Sequence, residues 1–180
     1  MAQYLAFREG VEVDGAAVLA VVEGMGRFKS LAYEILALHG IKAPAAEEWY
    51  PQQAWLDTFR DIGERLGPAS LLQIGKQIPQ MALWPQGLRD IHEALASIDQ
   101  AYHLNHRGGD IGNYRYEKLG PREGRMVCRN PYPCDFDQGI ILGIARRFGP
   151  LDSALLEIPH RPKDPCRKHG DEECVYQLEW

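Results

Sequence analysis

The chain has 180 residues, 45% of them hydrophobic, which is enough to bury one good core and is most simply a single domain spanning 1–180. With 20 basic and 25 acidic residues the formal charge is −5 and no run of five like charges occurs, so the chain carries no electrostatic footprint for a nucleic-acid backbone. The longest apolar runs, such as Ala16 to Val22 and Ile140 to Ala145, fall far short of the roughly 20 residues that span a bilayer, and the N-terminus lacks a charged region followed by an apolar core. The expectation is a cytoplasmic protein without a membrane partner. Four cysteines in that compartment read as thiols or metal ligands rather than disulfides.

In chain order, Val11 to Val13 looks like strand and Gly15 to Val22 like the start of a helix before Gly24 and Gly26 interrupt it. Apolar residues at Phe28, Leu31, Ala32, Ile35, Leu36 and Leu38 have helical spacing, with Gly40 placed to end that helix. A Pro- and Glu-rich loop runs to Pro51. A second helix over 54–66 carries Trp55, Phe59, Ile62 and Leu66 on one face, a third covers 70–81, and a fourth over 87–102 carries Leu88, Ile91, Leu95, Ile98 and Tyr102, with His92 beside that stripe.

After the polar stretch from Tyr102 to Asp110 the period changes to two around Tyr114 and Tyr116. A Gly120-Pro121 turn and a strand over 125–129 complete an antiparallel hairpin. Asn130 to Pro133 breaks it, and 135–148 returns to helix with Phe136, Ile140, Ile141, Ile144 and Phe148 inward. Strands over 154–158 and 174–180 end the chain. The order predicts an α+β fold, a helical half packed on an antiparallel sheet with a C-terminal hairpin.

The densest chemistry lies at the end. Cys166 and Cys174 flank a Gly170-Asp171 turn that brings them face to face if Gly170 takes a positive φ, and Cys134 opens the helix over 135–148, where the helix dipole favours a thiolate. Three cysteines from separate elements suit a zinc ion, and the competing reading is three unrelated core thiols. No nucleophile elbow, phosphate loop or H-E-x-x-H motif occurs, and Asp135 and Asp137 sit at a helix start where acids are expected, so an enzyme is unsupported. His103 and His106 lie in a polar helix-to-strand junction that reads either as a pocket mouth or as a helix end capped by His103 and Asn105. Gly139 and Gly143, four apart, allow close backbone approach to another element, the sheet of the same domain or a partner copy.

The segment from Cys134 to Gly139, with its following helix and the stretch from Cys166 to Tyr176, resembles the C-terminal half of the vinyl-reductase (4-vinyl reductase) domains, which share a fold superfamily with the haem-nitric-oxide/oxygen-binding (H-NOX) domains. The resemblance implies a structural zinc site of Cys134, Cys166, Cys174 and a fourth ligand. That ligand precedes the second cysteine in relatives, where this chain has an insertion from Pro159 to Pro165; His160 is favoured, ahead of Glu157, Cys128 and His169. It also places His92 near the H-NOX proximal histidine and, because such relatives commonly dimerise, implies a homodimer. The family's Tyr-x-Ser-x-Arg haem-propionate motif is replaced by Met126-Val127-Cys128-Arg129-Asn130, so haem is disfavoured.

The function expected is a small-molecule-binding sensory or regulatory domain with a structural zinc and a small hydrophobic ligand between the helical half and the sheet. His92, His103 and His106 are its candidate ligand- or cofactor-binding residues. The alternatives are a haem-binding H-NOX-like gas sensor, an enzyme acting on a tetrapyrrole-type hydrophobic substrate, and a purely structural interaction module.

Overall fold

The structure, a computed structural model, describes residues 3–149, 158 and 163–180. Strand β1 (Glu12–Asp14) leads directly into helix α1 (Gly15–Gly24), because the Asp14 carboxylate accepts from the Ala16 amide at 2.9 Å and so caps the helix. Helices α2 (Lys29–Leu38), α3 (Gln52–Leu66) and α4 (Pro68–Met81) follow, with the short strand β2 (Trp49–Pro51) inside the stretch expected to be loop. Helix α2 buries Ala32, Ile35 and Leu36 but leaves Phe28 and Leu38 exposed, so the expected apolar stripe is narrower than its sequence suggests.

Helix α5 (Ile91–Leu104) begins four residues later than its apolar pattern predicts. Local polar chemistry overrides the pattern there: Asp90 accepts from the Glu93 amide at 2.8 Å while the Glu93 carboxylate accepts from the Arg89 amide at 3.0 Å, fixing the first turn reciprocally. Strand β3 (His106–Arg107) pairs with β1 on the edge opposite β2, giving a small antiparallel sheet β2-β1-β3.

The second sheet holds β4 (Asn113–Gly120), β5 (Glu123–Arg129) and β6 (Cys174–Glu179), all antiparallel in that order. Tyr114, Cys128 and Cys174 form one rung across it and Tyr116, Met126 and Tyr176 another. Helix α6 (Cys134–Phe148) packs against α4 and α5. The α4–α6 seam is held by glycine: a Cβ on Gly139 would lie 2.3 Å from the Leu72 carbonyl oxygen, and one on Gly75 would lie 2.3 Å from that of Phe136. The close approach anticipated at Gly139 and Gly143 is therefore made to α4 within the chain, not to the sheet.

The last segment differs in detail from a two-stranded hairpin. Cys166 is extended and is followed by a single 3-10 turn (Arg167–His169), Gly170 takes the expected positive φ of 98°, and β6 makes its ladder with β5. One backbone bond, Val175 N to Pro165 O at 3.1 Å, ties the two arms together. The expected strand over 154–158 lies outside the described residues except for Ile158, which is buried and accepts from the Gln138 amide at 2.5 Å. One continuous hydrophobic cluster runs through both halves, with Phe59 at a ring junction 4.8 Å from Trp55, 5.6 Å from Tyr132 and 4.6 Å from Phe136.

Candidate functional site: a thiol cluster and an aromatic pocket

Helix α6 separates two sites. On one side, Cys134 at its first turn meets Cys174 at 3.0 Å and Cys166 at 3.5 Å, sulfur to sulfur, and all three sulfurs lie within 4.8 Å of one another. Each belongs to a different element, so only the fold assembles them. A tetrahedral zinc with bonds of about 2.3 Å holds its sulfurs roughly 3.8 Å apart, which this contracted, buried trio reaches with small shifts. All four cysteines are free thiols. The adjacent Cys174, followed by burial, pushes the Cys134 thiol far above its usual range, so metal uptake here means displacing protons.

Of the proposed fourth ligands, Cys128 is buried nearby on the same rung as Cys174 but stands outside the trio, and burial pushes its thiol up as expected for a core cysteine. His169 is exposed in the 3-10 turn and also outside it. His160 and Glu157 lie outside the described residues.

The cluster sits against a buried ion pair. Arg167 and Asp137, both side chains fully buried, pair through Nη2 and Oδ2. Arg167 Nε also donates to Cys174 Sγ at 3.1 Å, and its Nη1 donates to Asn130 Oδ1 at 2.6 Å. Burial raises the Asp137 carboxyl to about 6, with Arg167 opposing, so it is ionised at neutral pH; burial opposes the Arg167 charge, while Asp137 and Cys174 hold it positive. Asp135, by contrast, pairs at the surface with Lys168 at 2.6 Å. The two helix-start acids thus divide into a solvated one and a buried one, a distinction their positions near the N-terminus do not carry.

On the other side of α6 lies a mostly apolar cavity of about 50 Å³ whose walls include Trp55, Ile98, Phe136 and Ile140 and whose polar end is Tyr102, His106 and Tyr132. His106 Nδ1 sits 2.8 Å from the Tyr102 carbonyl, which only accepts, so Nδ1 carries the proton; Nε2 then accepts from the Tyr132 hydroxyl at 2.7 Å. Burial lowers the His106 pKa to about 4, keeping the ring neutral near pH 7. Behind this end, Gln52 is completely buried, its amide beside the Tyr102 and Tyr132 hydroxyls without a well-formed hydrogen bond. Such an orphaned amide costs about 1–3 kcal/mol.

The three candidate histidines part company. His106 lines the cavity. His103 is half exposed and folds back onto its own helix, with Nδ1 2.9 Å from the Asp99 carbonyl, as the helix-end reading expects. His92 is not among the cavity-lining residues: it bonds Tyr116 Oη at 2.6 Å and the Pro121 carbonyl at 3.0 Å, and packs on Trp180 at 5.0 Å, locking α5 to the sheet. Arg167, Asn130, Gln52 and Tyr132 were missed in the sequence. Only Arg167 carried a readable signal, a cation set directly after Cys166 and before Cys174.

No family model matches the chain, and no curated protein matches it. Solved structures do. An H-NOX protein from S. oneidensis in the Fe(II)NO ligation state superposes with a TM-score of 0.66 at 16% identity, covering 92% of this chain and 98% of its own. A mutant of the T. tengcongensis H-NOX gives 0.62 at 15% identity, covering 92% and 96%. A mutant of the K. algicida H-NOX in the Fe(II) unliganded state gives 0.61 at 12% identity, covering 92% and 95%. The chain therefore has the H-NOX fold. A further structure of this set is described by modulation of haem redox potential through porphyrin distortion.

A haem is accordingly the group this fold family implies. Its fit depends on three requirements. His106 has the tautomer of a metal-ligating histidine, with Nδ1–H on a carbonyl and a lone pair on Nε2. The other two requirements are unmet: about 50 Å³ is below even the 150 Å³ that admits a benzene, and no Lys or Arg lines the cavity to pair with two propionates. The described residues do not fit the group. Among them no helix is long and apolar enough to cross a membrane.

Proposed function

We propose that the chain is a small-molecule-binding sensory domain built on the H-NOX fold, with its ligand in the cavity beside α6 and a structural metal, zinc, on Cys134, Cys166 and Cys174. The observation that carries the ligand reading is the conjunction of apolar walls with one preorganised polar end, His106, Tyr102 and Tyr132. A space of about 50 Å³ limits such a ligand to a few heavy atoms, smaller than benzene, one of them able to hydrogen-bond. The metal reading follows from donor chemistry: three buried sulfurs on three separate parts of the chain, held as an ion's ligands, would lock the C-terminal segment to α6.

The second reading, a haem-binding gas sensor, is the one that the solved H-NOX structures support more directly. Absorption spectroscopy and elemental analysis of the purified protein separate the two. The first reading expects a colourless protein with near one equivalent of zinc, lost in Cys174→Ser and retained in Cys128→Ser. A stoichiometric Soret band, present on purification or formed on adding haemin and abolished in His106→Ala, supports the second reading and sinks the first. A small-ligand panel read by thermal shift then tests the cavity: shifts that vanish in Tyr132→Phe and His106→Gln support it, and shifts indifferent to both count against it.

A further inference from the structure

Both sites touch α6, and a line of buried polar contacts passes between them. Tyr114 lines the cavity, and its hydroxyl donates to Asp137 Oδ1 at 2.6 Å. Asp137 Oδ2 accepts from Arg167 Nη2, and Arg167 Nε donates to Cys174 Sγ at 3.1 Å. Asn130 braces the middle, accepting from Arg167 Nη1 at 2.6 Å and donating to Asp137 at 3.3 Å. The sheet supports the same connection, because Tyr114, Cys128 and Cys174 share a rung and so project to one face. Asp137 and Asn130 are entirely shielded from water and Arg167 is 3% exposed, so no solvent molecule can take over a contact that one of them gives up.

Charge gives the line its purpose. A divalent ion on three thiolates is a formal −1, and the buried cation against it is Arg167, whose guanidinium is shared between Cys174 and Asp137. Displacing Tyr114 by even a few tenths of an ångström lengthens a charge-assisted bond to Asp137, which changes how that carboxylate competes with Cys174 for the same guanidinium.

We infer that Arg167 is the positioning residue of the thiolate site and that Tyr114 and Asp137 couple it to the cavity, so that filling the cavity and holding the ion on Cys174 influence each other. This rests on the metal reading above. By linkage the coupling is reciprocal: whatever settles Tyr114 on Asp137 slows metal loss, and an ion on Cys174 stiffens the cavity wall.

The test uses the zinc-loaded full chain and times zinc release to a chromophoric chelator. Tyr114→Phe, which deletes one hydroxyl bonded to Asp137, is expected to release zinc about 5-fold faster or more. Arg167→Lys keeps the charge and loses the forked geometry, and is expected to weaken zinc binding on the order of 10–100-fold. Ile35→Val, a core change in α2 remote from both sites, is expected to leave the release rate unchanged, which separates coupling from general loosening. A second readout is the thiolate-to-cobalt charge-transfer absorption of the Co(II)-loaded protein, expected to shift in Tyr114→Phe. Should Arg167→Lys not fold, Tyr114→Phe decides alone. Unchanged release and spectrum in Tyr114→Phe, or equal acceleration in Ile35→Val, overturn the inference and leave the metal site standing. A wild-type chain that takes up neither zinc nor cobalt overturns both.

Discussion

The two faces of α6 solve opposite problems. Its Cys134 and Asp137 face concentrates buried sulfur and charge, every member paired: Arg167 alone contacts Cys174, Asn130 and Asp137. Its Phe136 and Ile140 face borders a cavity where the aromatic contacts are good but the polar ones are incomplete, with Gln52 lacking a partner. Full satisfaction makes a region rigid and specific, whereas residual polar capacity beside an apolar cavity is what a ligand consumes. Under the function proposed above, the thiol face would serve structure and the aromatic face recognition.

The sharpest way to break that contrast is to orphan the buried charge. Arg167→Met leaves Asp137 buried without its cation and is expected to cost about 3–5 kcal/mol in denaturant unfolding, whereas the double change Arg167→Met with Asp137→Leu should recover most of it. A small loss in the single variant would mean that the thiol face is less demanding than its contacts indicate.

Acid probes the aromatic face. His106 has a folded pKa of about 4 against roughly 6.5 unfolded, so its contribution to stability is complete above pH 6.5 and is lost as pH falls toward 4. A gap of about 2.5 units corresponds to at most roughly 3 kcal/mol, reduced because the residue is partly exposed. Asp137 runs the other way: its raised pKa of about 6 makes the native state hold its proton more tightly, so its term falls as pH rises from about 4 to 6. The His106 effect is therefore read as the difference between wild type and His106→Gln in unfolding measured from pH 4 to 7. Parallel curves would remove the buried neutral histidine from the account.

The seam that carries both faces responds to bulk. Gly139→Ala places a methyl 2.3 Å from the Leu72 carbonyl oxygen and must push α4 from α6, at an expected 1–3 kcal/mol in thermal unfolding. If the cavity wall moves with α6, any thermal shift given by a cavity ligand should weaken in the same variant. The smallest effect belongs to a residue on neither face. His92→Ala removes two hydrogen bonds at a partly exposed site and is expected to cost about 1 kcal/mol while leaving zinc content and cavity ligand response at wild-type levels. Loss of either response would restore a functional role to His92.

Much of this was readable in the residues. Helical periodicity located α3, α4, α5 and α6, because apolar side chains at a 3.6-residue spacing have one economical conformation. The three cysteines were readable as a trio because thiols in separate elements around a turn glycine have few other common purposes, and their sulfurs do converge. The histidines were not readable. His92, His103 and His106 occur on the same helix or its end, and their sequence neighbourhoods give no hint that only His106 faces the cavity, since that depends on which side of α5 meets α1, α3 and α6.

What the sequence determined by itself is therefore local: which stretches form helices, where Gly170 turns, and which sulfurs are available, all matters of backbone preference and side-chain spacing. Tertiary structure decided the rest. It placed Asp137 against Arg167 across 30 positions and Tyr114 against Asp137 across 23, seated Gly139 on α4, and left Gln52 without a partner beside the cavity. Each of these is a contact between elements far apart in the chain, and the strength of a buried charge or an orphaned amide is set by the low-dielectric surroundings that only the packed fold creates.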